Sequence, residues 1–276
     1  MITYADIERG EAEAGRAAFD ALPTPVRQAL GATSARVGGA AVQATRHDPG
    51  GPRNVATGLG ADGPVDADVI AAVLGFFRDA GVTRATLKIA DPARPVDGDR
   101  IRRAYGLTLG PSTVRMVRPV EPVPTAGTTL RIAEASVDQY PDVVALAVRT
   151  DFVSAESADV MASFLRRDNF HAFAAWDGPD MVALSVLRFF GDYADLVGSA
   201  TLLPYRRRGA QTAFVAARAA CAREHGARTL LVETAQPPNT SHNNMLRAGF
   251  RDLYVRHQWI WHADPPDHDA EQTSSG

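Results

Sequence analysis

The chain has 276 residues, 45% of them hydrophobic and 22% charged, with a formal net charge of −3. That is length for two ordinary domains and apolar material for a substantial core, which excludes wholesale disorder. The near balance of charge removes any general pull toward nucleic acid or an anionic membrane, and no apolar run approaches the roughly 20 residues that span a bilayer. The opening MITYADIERGEAEAGR lacks the basic-then-apolar order of a signal peptide, and a single cysteine, Cys221, excludes an intrachain disulfide. The expectation is a cytoplasmic protein that binds neither nucleic acid nor membrane.

In chain order, helical spacing appears first over 11–22 and 24–31. NVATGLG (54–60) reads as a strand, followed by an amphipathic helix over 65–81 with Asp66 or Asp68 as cap and Gly81 as terminator. TRATLKIA (83–90) alternates as a strand, 99–109 is a short helix, and STVRMVRPV (112–120) is a further strand. EPVPTAG (121–127) has linker composition. Beyond it, helices are expected over 141–150 and 158–167, then a strand over 192–204 and a long helix over 206–226. A strand over 227–234, a short helix over 240–250 and a last strand over 253–261 complete the order, and the polar 263–276 reads as a flexible tail.

The two halves repeat the same order. AGVTRATLKIADPARP echoes HGARTLLVETAQPPN, and IRRAYGL echoes NMLRAGF. The fold class is therefore α/β with a mixed sheet, built from two copies: 1–120, a linker over 121–127, and 128–262. Val69, Val73, Phe76 and Phe77 give the first long helix more apolar surface than a lone helix exposes, so the halves are expected to pack together.

The copies differ at the turn between the long strand and the long helix. In the second copy it reads Leu203-Pro-Tyr-Arg-Arg-Arg-Gly-Ala-Gln-Thr212. A helix start presents unsatisfied N–H groups and partial positive charge; Gly209 allows close backbone approach, and Arg206, Arg207 and Arg208 add cationic charge, so a pyrophosphate fits. The first copy has Asp62, Asp66 and Asp68 at that place and no arginine, which repels a phosphate.

Arg206-Arg207-Arg208-Gly209-Ala210-Gln211 resembles the Arg/Gln-x-x-Gly-x-Gly/Ala acyl-CoA motif of the GCN5-related N-acetyltransferases (GNAT), with Gln211 in place of the last small residue. VGSATLLP before it and Asn243-Asn-Met-Leu-Arg-Ala-Gly-Phe250 after it are similar to that family in order and kind. The resemblance covers roughly 128 to 261, and the first half looks like the degenerate copy of tandem members. It implies two GNAT-like domains and transfer of an acetyl group from acetyl-CoA, or another acyl-CoA, to an amine of a small molecule by direct attack, in a monomer or homodimer. It also implies that Thr201, Leu202 and Leu203 at a splayed strand end meet the pantetheine. The amides of Arg207, Arg208, Gly209, Ala210 and Gln211, with the hydroxyl of Thr212, would take the pyrophosphate; Arg206 completes the motif, and Asn239 and Asn244 reach the pantetheine arm.

For the general base, Glu233 at the end of LLVET faces the expected cleft, with Asp195 and Asp192 as rivals on the long strand. The tyrosine acid found in many family members is replaced by Met245, which leaves Tyr254 or Ser241 as substitutes. Met245 and Gln211 keep two other readings open, a non-acetylating GNAT-fold enzyme (acyl-CoA decarboxylation or aminoacyl transfer) and a non-catalytic acyl-CoA-binding protein. The seven histidines show no paired ligand spacing and one cysteine makes no zinc cluster, so no metal is expected. Cys221, in helical register with Phe214 and Ala217, reads as core rather than nucleophile.

Overall fold

The computed structural model describes residues 2–48, 50–123 and 127–263. The proposed tail from Asp264 onward and residues 124–126 of the proposed linker lie outside the described residues. The elements in chain order are α1 (Tyr4–Asp20), α2 (Thr24–Leu30), β1 (Ala32–Val37), β2 (Ala40–Thr45), β3 (Val55–Leu59), α3 (Ala67–Asp79), β4 (Arg84–Ala90), α4 (Gly98–Ala104) and β5 (Thr108–Leu109). They continue with β6 (Thr113–Pro119), β7 (Arg131–Glu134), α5 (Tyr140–Arg149), α6 (Ala158–Leu165), β8 (Phe170–Asp177), β9 (Asp180–Phe190) and β10 (Tyr193–Thr201). The last are α7 (Ala210–Glu224), β11 (Thr229–Ala235), α8 (Thr240–Arg247) and β12 (Arg251–His262).

The described residues form two compact units, one drawn from 2–112 with 256–263, the other from 113–255. In the first, β1, β2 and β3 are antiparallel neighbours, β3 runs parallel to β4, and β4 pairs antiparallel with the 256–262 part of β12. In the second, β8, β9 and β10 are antiparallel neighbours, β10 runs parallel to β11, and β11 pairs antiparallel with β6; β7 is added beside β8. The same strand pattern thus occurs twice, as the internal repeat requires.

The division at 120/128 needs correction on one point. β6 follows the first copy in sequence but belongs to the second unit, and the end of β12 belongs to the first. The two strands occupy equivalent places and have each gone to the other unit. β1, β2, β7, β8 and β9 are strands that the sequence patterns above do not single out.

The core of the first unit is built on α3, whose Ile70, Val73, Leu74 and Phe77 pack with Leu87, Ile89, Trp259 and Trp261. The fully buried Phe77 contributes about 1.5–3 kcal/mol by removal from water. Arg256 and Glu8, each 1% exposed, form an ion pair at 2.6 Å that Glu11 joins at 2.7 Å. In the second unit the core joins Phe214, Val215 and Ala222 of α7 to Leu230, Val232, Met245 and Phe250.

Candidate functional site

The parallel pairing of β10 with β11 runs from Tyr193↔Thr229 to Leu196↔Val232 and stops. β10 goes on beside β9 as far as Thr201, and β11 goes on beside β6 as far as Ala235. The two strands therefore splay, and residues 197–201 face an open wedge with backbone groups released from the β11 ladder. The splay begins at a bulge. Val197 is the extra residue between Leu196↔Leu187 and Gly198↔Val186. Gly198 is needed there, since its φ is 155° and a Cβ would lie 2.7 Å from the Phe152 ring.

An arginine beneath the bulge holds it. Arg218, fully buried on α7, donates from Nη1 to the carbonyls of Val186 at 3.2 Å and Gly198 at 3.4 Å, and from Nε to that of Phe214 at 3.3 Å. Burial pushes its guanidinium down to about 9, opposed by the charge of Asp195.

Beside the wedge stands the start of α7. Its N-cap is Gly209, at φ 82° and ψ 1°, with no side chain capping the helix, and Arg207 is also left-handed at φ 63°. Three other helix starts are closed by a side chain, α1 by Thr3, α3 by Asp66 and α8 by Asn239, and α3 is the helix equivalent to α7 in the first unit. An uncapped helix start next to two left-handed residues turns N–H groups outward, an arrangement that binds anions. A cavity of about 750 Å³ opens there, lined by Ser199, Ala200 and Thr201 of β10, Arg206 and Arg207 of the turn, Gly209 to Thr212, and Thr240, Asn244 and Arg247 of α8. Thr201 Oγ1 is buried without a hydrogen-bond partner among the described residues.

Most of the residues expected from sequence meet here, with corrections. Arg206 lines the cavity and donates from Nε to the Thr201 carbonyl at 3.2 Å. Gln211, the departure from the motif, accepts from Ser199 Oγ at 2.7 Å and so ties the helix start to the splayed strand. The Arg208 side chain turns away: it forks onto Asp177 at 2.8 and 3.0 Å, holding that carboxyl below the usual carboxylate range, and does not line the cavity. Leu202 and Leu203 lie past the strand end. Leu202 N–H is bonded to Val182 and Leu203 is exposed, so the wedge is lined by 199–201 instead. Asn239 is a helix cap, accepting from His242 N–H at 2.8 Å and donating to the Ala235 and Gln236 carbonyls; Thr240 takes its place in the cavity wall.

The carboxylates sort by environment. Asp195 is 3% exposed and bound by two arginines, Arg188 at 2.7 Å and Arg115 at 3.2 Å, which suits a structural anion and not a base. Asp192 sits at a turn beside Arg228. Glu233 is the first residue of β11 beyond the last pair with β10; its carboxylate accepts from Thr113 Oγ1 at 2.7 Å and lies 3.7 Å from Arg115 Nη1. Tyr254 and Met245 are buried, Ser241 is exposed, and none of them lines this cavity. Sequence reasoning missed Asp151, the one acid in the cavity lining, held left-handed at φ 54° just after α5. It also missed Arg115 and Arg218, which no local pattern marks.

The equivalent place in the first unit is closed. β3 shifts register between Ala56 and Leu59 but is paired with β4 again at its end, Leu59↔Ile89, so the strands do not splay there, and Asp66 Oδ1 accepts from Val69 N–H at 2.9 Å at the start of α3. Asp62 is bound by Arg9 at 2.6 Å.

No family model matches the sequence, and no curated protein matches it. Solved structures do. A GCN5-related N-acetyltransferase from Kribbella flavida matches with a TM-score of 0.66 at 15% identity, over 98% of both chains. A tandem GNAT protein from the clavulanic acid biosynthesis pathway matches with a TM-score of 0.61 at 14% identity, over 97% of this chain and 98% of that one. A GCN5-related N-acetyltransferase from Sphaerobacter thermophilus matches with a TM-score of 0.62 at 11% identity, over 93% and 91%. The chain has the tandem GNAT fold. Among the described residues, no helix is long and apolar enough to cross a membrane.

Proposed function

We propose that this chain is a tandem GNAT-family acyltransferase in which the second unit alone binds acyl-CoA and moves the acetyl group of acetyl-CoA to an amine of a small molecule. The observation that carries this reading is the wedge between β10 and β11 opening beside an uncapped α7 start, with both features absent from the equivalent place in the first unit.

The residues divide the work as follows. The amides at the α7 start and the cationic Arg206 and Arg207 take the pyrophosphate. The wedge-side backbone of 199–201 takes the pantetheine in the manner of an added strand and polarises the thioester carbonyl, while Thr201 Oγ1 gains the partner it lacks. The neutral amine attacks, the carbonyl oxygen becomes an oxyanion, and the C–S bond breaks as the thiolate leaves. A carboxylate accepts the amine proton. Glu233 has that role in our reading because it stands at the apex of the wedge; Asp151, inside the cavity, is its rival. Incubation with acetyl-CoA and a panel of small amines, following thiol release, tests the proposal. Turnover above the hydrolytic background is expected, and acetyl-CoA binding without turnover on any amine sinks it.

A second reading, an acyl-CoA-binding protein without transferase activity, draws on the arginine contacts of Asp195 and Glu233 and on the buried methionine at the expected acid position. The same assay separates the two.

A further inference from the structure

At the far end of α7 from the acyl site, three side chains from distant parts of the sequence converge. One ligand atom each from His171 on β8, Cys221 on α7 and His225 at the C-cap of α7 all lie within 4.8 Å of one another. Among the described residues this is the one such grouping of three. No metal was expected from the sequence, and a spacing signal was overlooked: Cys221 and His225 are four apart on a helix, on one face.

The two imidazoles pack edge to face at 4.7 Å, and the donor spacing and orientation suit a metal ion as well. Cys221 Sγ and His225 Nδ1 are 3.6 Å apart. Zinc bonds of about 2.3 Å to sulfur and about 2.0 Å to nitrogen, at a tetrahedral angle, put the two donors about 3.5 Å apart. His171 is oriented from behind, its Nδ1 2.7 Å from Glu134 Oε1, so that Nδ1–H donates to the carboxylate and Nε2 keeps its lone pair. That Nε2 is buried without a hydrogen-bond partner among the described residues. A carboxylate behind a ligating histidine is the usual outer-shell arrangement of zinc sites. The Phe189 ring packs against both imidazoles and limits solvent on one side.

We propose that His171, Cys221 and His225 bind a borderline-soft divalent ion, Zn²⁺ by choice of ligands, and that the ion clamps the C-terminal end of α7 to β8. On binding, the Cys221 S–H bond breaks, the proton leaves to solvent and the sulfur pair bonds the ion; each imidazole binds through a neutral nitrogen, and nothing is oxidised or reduced. His225 Nδ1 exchanges its 2.9 Å contact with the Cys221 carbonyl for the metal bond, a small rotation at an exposed helix end. The fourth position falls to water on the open side. The proposal is independent of the acyltransferase reading.

The test uses the full chain, reduced and stripped with a chelator, titrated with Co²⁺ and followed by absorption. We expect saturation at one equivalent with a thiolate-to-cobalt charge-transfer band. Cys221→Ser removes that band, and His225→Gln, at an exposed position, weakens binding at least tenfold while leaving acetyl-CoA affinity unchanged. Zn²⁺ raises the Tm of the wild type and not that of His225→Gln. No band with excess Co²⁺, or a band of equal intensity and affinity in the wild type and His225→Gln, overturns the site; an equal Tm rise in His225→Gln overturns the clamp.

Discussion

Replacement of Gly209 by alanine tests the anion cradle most directly. At φ 82° the residue is left-handed, which costs an L side chain about 1–2 kcal/mol. The added Cβ would lie 2.9 Å from the Gly127 carbonyl oxygen and 3.3 Å from Thr128 Cβ. Neither neighbour is the end of a flexible side chain, so the turn itself must move, and with it the amides of Ala210 and Gln211. A displaced N–H loses a hydrogen bond to a charged ligand, about 1.5–3 kcal/mol, which is about ten- to 150-fold in affinity. Gly226, at the other end of the same helix, is the control. It is also left-handed, at φ 76°, but a Cβ there meets nothing within 4 Å. Gly226→Ala should therefore cost about 1–2 kcal/mol of stability with no loss of affinity. Titration calorimetry with acetyl-CoA on folded samples of both variants, beside thermal melts, reads the two effects separately. Equal acetyl-CoA affinity in the two variants would refute the assignment of the turn.

Further expectations follow from the same geometry. Calorimetry on the wild type should return one acetyl-CoA per chain, and two sites of similar affinity would contradict the closed first copy. Glu233→Gln should lower kcat by about ten- to a thousand-fold with acetyl-CoA affinity unchanged; a near-wild-type rate, together with such a loss in Asp151→Asn, moves the base to Asp151. Asp195→Asn removes the carboxylate charge shared by Arg115 and Arg188 and should destabilise by about 3–5 kcal/mol in urea unfolding, so an unchanged midpoint contradicts its structural role. Asn239→Ala should cost about 1 kcal/mol of stability with affinity preserved, whereas Asn244→Ala should weaken acetyl-CoA binding with stability preserved; the reverse pattern would restore Asn239 to the site.

What could be read from sequence was what is local. Arg206 to Thr212 marks the helix start that we propose as the anion site, because the glycine, the charges and the helix are contiguous. Asp66 declares its opposite in the first copy for the same reason. Arg115, Asp195 and Glu233 could not be linked in that way, because their neighbourhood exists only once β6 lies beside β11 and β11 beside β10. The arginines give no periodic signal: Arg218 occupies the buried face of α7 among Phe214, Val215, Ala219 and Ala222, where a charged residue weakens the apolar pattern. The β8–β9 hairpin did carry a local mark, Asp177-Gly178, with Gly178 left-handed at φ 59° at the turn. Asn239 was misassigned because a polar side chain near a site and a helix cap look alike until the hydrogen bond to His242 N–H is seen.

The unit membership of β6 and β12 was the least accessible feature, for a physical reason. STVRMVRPV and LYVRHQWIW follow equivalent short helices, and either strand satisfies the free edge of either parallel pair by backbone hydrogen bonds. Their side chains carry the distinction. Trp259 and Trp261 pack with Phe77 and Leu87 of the first unit, and Arg256 meets Glu8 and Glu11 there. In the second unit Arg115 of β6 meets Asp195 and Glu233. Each strand thus brings an arginine to carboxylates of the unit it completes. An arginine left without those carboxylates would be a buried unpaired charge, costing several kcal/mol, so the charges select an assignment of strands that the backbone ladder alone does not.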